Sequence, residues 1–127
     1  MTSKLKRGDV WTVSGGADYT HKPRPAVIVQ DDSFDGTLSI TVCIFTSDPT
    51  DAPFFRLPIE PTQKNGLRTA SRLMADKIST ISKQKLGKKI GRLDDQDILR
   101  LNQAIVLFLG LARGTRSPKE RPTKRAT

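Results

Sequence analysis

Lys22-Pro23-Arg24-Pro25 is the stretch of this chain best suited to holding an anion. Proline fixes its own φ and pushes the residue before it into an extended conformation. Lys22 and Arg24 each precede a proline, so both are held extended with backbone entropy already reduced. A planar, permanently charged guanidinium on so stiff a base suits bidentate capture of a phosphate. An arginine paired with an acid such as Asp31 or Asp76 accounts for the same residues, and the two readings weigh equally. A second set, Phe45-Thr46-Ser47-Asp48, offers two hydroxyls and a carboxylate to a ligand's oxygens. By itself it reads as a capped turn, because Ser and Asp cap turns routinely. The segment from Ser14 to His21 carries Asp18, Tyr19, Thr20 and His21, and Tyr19 or His21 could stack on a base. A plain surface connection explains that segment equally well. Lys83, Lys85, Lys88, Lys89 and Arg92 follow one another with no acid between them, which fits a solvated face or a path for a phosphate backbone.

Other chemistries find little support. With His21 as the one histidine, a two-histidine acid–base pair is excluded. No phosphate-cradling Gly-x-x-x-x-Gly-Lys loop or Gly-x-Ser-x-Gly elbow is present. Cys43 can form neither an internal disulfide nor a zinc site alone and reads as a small packed residue. The carboxylates show no metal-ligating spacing, so neither cofactor nor metal is expected.

The elements that must position these residues are mostly strands. Short apolar or alternating runs lie at 9–13, 25–30, 37–45, 54–59 and 71–81. In 37–45, Leu38, Ile40, Val42 and Ile44 face one side, while Cys43 and Phe45 share the other. Pro58 marks its run as an edge strand or a bulge. Ser82 to Leu86 reads as one capped turn, and a short basic strand follows at 88–93. Asp94 is an N-cap, with Asp95 and Asp97 adding negative charge at the positive end of a helix. Ile98, Leu101, Ile105, Phe108 and Leu109 recur at helical spacing, giving an apolar stripe that runs to Leu111. The expected fold is mainly β with a C-terminal helix (α+β): a small barrel or curled sheet with the helix packed on it.

The chain has 127 residues, of which 35% are hydrophobic and 28% charged, enough for one domain with its own core. Its net charge is +9, and the sixteen residues from Ala112 hold six bases and one acid, so the tail alone carries +5. Residues 1–111 are read as the domain, and 112–127 as a basic tail too polar to offset the cost of ordering. The charge favours a polyanion, most simply nucleic acid. No run approaches the roughly eighteen apolar residues of a membrane span, and the basic start lacks the apolar stretch of a secretory signal. A cytoplasmic location is expected.

Arg7-Gly8-Asp9-Val10-Trp11, then 24–30 (RPAVIVQ), Thr46, 76–81 (DKISTI) and Ile90-Gly91-Arg92-Leu93 before a terminal helix resemble, in that order over residues 6–111, the MazF/PemK toxins. The resemblance implies an SH3-like β-barrel of the MazF/CcdB type and a homodimer. It also implies a toxin of a type II toxin–antitoxin system, cutting single-stranded RNA at specific sequences without the ribosome and neutralised by a cognate antitoxin. It places the catalytic arginine at Arg24 and the catalytic threonine at Thr46. Tyr19, Lys22, Ser47, Asp76 and Lys77 are the expected RNA contacts, with Asp18 and His21 as candidate proton acceptors. The family's Gly-Ser-Glu-Gln is replaced here by Gly16-Ala17-Asp18-Tyr19, and Lys77 stands where glutamine is common, so the cleavage sequence does not transfer from relatives. Metal-free cleavage would use RNA's own 2′-hydroxyl as nucleophile. Two alternatives stay open: a CcdB-like gyrase poison, and a catalytically silent barrel that binds nucleic acid.

Overall fold

The structure is a computed structural model that describes residues 5–14, 22–49 and 54–113. Six strands and one helix follow in the order β1 (Asp9–Val13), β2 (Arg24–Ile28), β3 (Ser39–Thr46), β4 (Arg56–Ile59), β5 (Ser71–Ser82), β6 (Leu86–Arg92) and α1 (Asp95–Phe108). All belong to one antiparallel sheet in the order β4-β5-β3-β2-β1-β6. Ser82 caps a single 3₁₀ turn between β5 and β6, as its neighbours suggest.

β3 shows how the sheet acquires two cores. Ile40 and Val42 join Val13, Ala26 and Ile28 on one face, while Cys43 and Phe45 join Val10, Val27, Leu57, Leu73 and Leu101 on the other. Both faces of the strand are therefore covered, as expected for the central run of a curled sheet. Leu38 departs from its expected place beside Ile40: it precedes the strand, and its side chain is 89% exposed. Phe54 is likewise 75% exposed and outside β4, so that strand is shorter than the apolar run suggests. β4 is an edge, consistent with Pro58, which has no N–H to offer a further partner.

The barrel is not closed, because no ladder joins β4 to β6. Instead the segment after β4 folds back onto β6, where the Arg92 N–H donates to the Lys64 carbonyl at 2.8 Å. Glycine makes this possible. Gly66 has φ +72°, and a Cβ there would run into the Ile90 carbonyl; a Cβ on Gly91 would meet the backbone of 64–65. The side chain of buried Asn65 holds the segment's own shape, donating to the Glu60 carbonyl and accepting from the N–H groups of Thr62 and Leu67.

Asp94 caps α1 by accepting from the Asp97 N–H at 2.9 Å. Leu101 and Ala104 are buried against the sheet, with Ile98 and Ile105 packed beside them. The helix ends at Phe108, three residues before the expected limit, because Gly110 turns the chain with φ +76°. Phe108 touches Phe55 with ring centroids 5.3 Å apart, yet Leu107, Phe108, Leu109 and Leu111 stay exposed, so the stripe is core only in its first half. Among the described residues no helix is long and apolar enough to cross a membrane.

Candidate functional site

A groove of about 720 Å³ opens where β2 begins and β3 ends. Its floor is apolar, formed by Phe45, Leu67 and Ile90. Lys22, Arg24, Arg68 and Lys88 line it together with Thr12, Thr46, Ser47, Thr69 and Ser71. Among the described lining residues there are four cations and no aspartate, glutamate or histidine.

The sheet brings the two leading candidates together. Ala26 pairs with Ile44, so the entrance of β2 lies beside the exit of β3, and Arg24 reaches the same groove as Thr46. Arg24 is exposed at the mouth of the strand and has no ion pair among the described residues. The acids proposed as its structural partners are occupied elsewhere. Asp31 caps the turn after β2 by accepting from Ser33, which holds its carboxyl below the usual range. Asp76 takes two hydrogen bonds from Arg56, from Nε at 3.1 Å and Nη2 at 3.0 Å. That guanidinium lowers the Asp76 carboxyl, and the carboxylate raises Arg56 in return. Arg24 is thus left available to a ligand.

The Thr46 hydroxyl accepts from the Asp48 N–H at 3.1 Å, which leaves its own proton free to be donated. The capped-turn reading of this motif is what the structure shows, and Thr46 also lines the groove. Ser47 and Lys22 line it too.

Asp76 and Lys77 do not line the groove. They sit where β5 bulges: Cys43 pairs with Ile78 and Phe45 with Leu73, so β5 advances five residues while β3 advances two. Ala17, Asp18, Tyr19 and His21 lie outside the described residues, as does the tail beyond Arg113. Cys43 is buried, and burial pushes its thiol up to about 12, out of reach of nucleophilic chemistry at neutral pH.

Arg68, Thr69 and Thr12 were not singled out by the sequence. Asn65-Gly66 signals a turn, but no local feature says that the turn docks on β6 and lifts Arg68 to the groove. The run of bases from Lys83 to Arg92 separates into distinct uses. Lys83 pairs with Asp35 at 2.8 Å, while Lys89 and Arg92 flank buried Asp9 at 3.4 and 3.2 Å. Lys88 is the member that lines the groove.

Residues 6–109 match the family described as PemK-like, MazF-like toxins of type II toxin–antitoxin systems. The chain is 47% identical over 108 residues to a probable endoribonuclease MazF of Mycolicibacterium smegmatis, covering 85% of this chain and 99% of that protein. It is 28% identical over 116 residues to the endoribonuclease MazF9 of Mycobacterium tuberculosis, covering 84% and 98%. Among solved structures, an endoribonuclease in complex with its cognate antitoxin from a mycobacterial species aligns with TM-score 0.68 and 24% identity, over 84% of this chain and 95% of that one. A MazE–MazF structure from Deinococcus radiodurans aligns with TM-score 0.66 and 15% identity, over 83% and 95%. At those identities the two structures speak for the fold.

Proposed function

The chain belongs to the PemK/MazF toxin family of type II toxin–antitoxin systems, and on that premise we propose that its groove cleaves single-stranded RNA through Arg24 and Thr46. It is an endoribonuclease toxin. The observation that carries the assignment of the site is the meeting of Arg24 and Thr46 in one cationic groove, with Arg24 free of any carboxylate among the described residues.

The RNA's 2′-oxygen attacks the adjacent phosphorus, the bond from phosphorus to the 5′-oxygen breaks, and a 2′,3′-cyclic phosphate and a 5′-hydroxyl end result. The 2′-proton passes to a base, and the departing 5′-oxygen gains a proton. Arg24 stabilises the charge that builds on the phosphoryl oxygens, the largest contribution a preorganised site can make. A guanidinium stays protonated throughout the pH range in which RNA is handled, so it cannot serve as the base. Thr46 donates its free proton to the same phosphate and fixes its orientation. Asp18 and His21 are the candidates for taking the 2′-proton. Lys22 and Ser47 hold the backbone beside the reacting bond; Tyr19, Asp76 and Lys77 contact RNA further out. DNA binds and survives, because it lacks the nucleophile.

The same reading gives a homodimer, a cytoplasmic location and a cognate antitoxin as partner. It also treats the fold as an SH3-like barrel left open, with the 60–67 segment lying where a closing ladder would run. The test is incubation of the purified chain with long single-stranded RNA and with DNA of the same sequence, in excess EDTA. Discrete fragments with 5′-hydroxyl ends from RNA alone are expected. Arg24→Ala should slow cleavage by about 10²–10³-fold, and Thr46→Val by about 10–100-fold. Intact RNA throughout would remove this reading; gyrase inhibition would then favour the CcdB-like alternative, and binding without cutting the silent barrel.

A further inference from the structure

We propose that Arg68 and Lys88 bind the phosphates flanking the scissile one, so that the groove grips a run of RNA backbone rather than a single diester. The proposal rests on the reading of the groove as an RNA-cleaving site. Its first support is charge. One phosphodiester carries a single negative charge, whereas Arg24, Arg68 and Lys88 all line the groove and no described carboxylate lines it with them. Arg24 and Thr46 suffice to hold the reacting phosphate. Arg68 and Lys88 are surplus to it.

The second support is that the fold leaves these two cations unpaired. Lys83, Lys89, Arg92, Arg56 and Arg100 each have a carboxylate partner, whereas Arg68 and Lys88 have neither an ion pair nor a side-chain hydrogen bond among the described residues. The third is that their backbones are held in place. Arg68 leaves the 60–67 segment, which buried Asn65 shapes from within and Gly66 and Gly91 clamp to β6. Beyond it, the Ser71 hydroxyl donates to the Thr69 carbonyl at 3.0 Å. Lys88 donates its N–H to the Thr12 hydroxyl at 3.0 Å, in a contact so close that a Cβ on Gly87 would strike that same oxygen. Two unpaired cations carried by well-held backbone, at the edge of a groove already read as binding phosphate, are suited to further phosphates.

The experiment measures affinity for a short 2′-deoxy oligonucleotide, which cannot be cut, across a salt titration by fluorescence anisotropy. Cleavage kinetics on RNA of the same sequence are followed in parallel. Arg68→Ala and Lys88→Ala should each weaken binding at low salt and lower the slope of log K against log salt by about 0.7. In cleavage they should raise KM and leave kcat within about twofold, the mark of binding shared by ground and transition states. Lys6→Ala, which removes the same charge away from the groove, should leave both measurements unchanged. Unaltered slopes and KM in Arg68→Ala and Lys88→Ala, with Arg24→Ala still inactive, would overturn the phosphate path and leave the nuclease reading intact. Lowered slopes in a chain that cuts no RNA would uphold the path and sink the nuclease reading. A changed cleavage sequence at constant slope, or weakened binding to an antitoxin peptide alone, would also overturn the proposal.

Discussion

Asp76 and Arg56 face each other across β5 and β4 with side chains 14% exposed, and both carboxylate oxygens are engaged. The folded chain therefore holds Asp76 below its unfolded pKa, with Arg56 as the main cause and Lys77 adding to it. An unfolded carboxyl, titrating at about 3.9, binds a proton that the folded one refuses. The pair stabilises the fold above that pH, and the contribution disappears as pH falls through the depressed folded value. Asp76→Asn should lower stability by about 1–2 kcal/mol at neutral pH, and its urea midpoint should converge on that of the parent in acid. Asp31 is shifted in the same direction by Ser33, so the variant keeps some acid sensitivity of its own. Coincident midpoints across the whole pH range would show that the pair contributes nothing, and a constant offset would show that its contribution does not depend on the charge of Asp76. At this scale a charged residue's role depended on its neighbours: Asp31 and Asp76 are held by Ser33 and Arg56, while Arg24 has no ion pair among the described residues.

The segment 60–67 is the element on which the site depends most and which sequence patterning describes least. It contains no strand or helix, yet it lies on β6, supports Arg68 and supplies Leu67 to the groove floor. Gly66→Ala would combine a left-handed backbone with a clash against the Ile90 carbonyl. A loss of roughly 2–4 kcal/mol is expected, read from urea unfolding. Gly36→Ala is the matched control: its Cβ would meet nothing within 4 Å, and a change within about 0.5 kcal/mol is expected. Equal effects at the two glycines would mean that the docking of 60–67 is not what Gly66 provides. The regular elements were far easier to read, because period-two and period-3.6 patterns report burial directly. β1, β3, β5, the Ser82-capped turn and the Asp94 cap of α1 all lie within a few residues of the expected bounds.

Across the whole molecule, the end of α1 and the turn after it present an exposed apolar surface among the described residues. Leu107 is 59% exposed and Leu111 66%, beside Phe108 and Leu109. The homodimer of the proposed function gives such a surface a partner. The full-length chain, 14.1 kDa, should sediment at about twice that mass at micromolar concentration. A species of the single-chain mass at every concentration would remove the dimer. The charge of the molecule is also arranged rather than merely large: the described groove lining gathers four cations, while acids such as Asp9, Asp35 and Asp76 neutralise bases elsewhere.

By itself the sequence determined the class of fold and the order of its elements, and its prolines marked Arg24, while Thr46 stood out only through the family resemblance. Proline geometry, alternation and capping are local properties, set by neighbours along the chain. Only the tertiary structure decided that these two residues share one groove, that Lys88 lines it while Lys83, Lys89 and Arg92 pair with acids, and that Arg68 belongs to it. It also decided that the sheet stays open. The physical reason is range. Which cation keeps its charge unpaired, and which turn lies on which strand, depends on residues far apart in sequence whose approach is settled by packing. The Lys64–Arg92 hydrogen bond and the close approaches at Gly66, Gly87 and Gly91 are of this kind, and no periodicity along the chain encodes them.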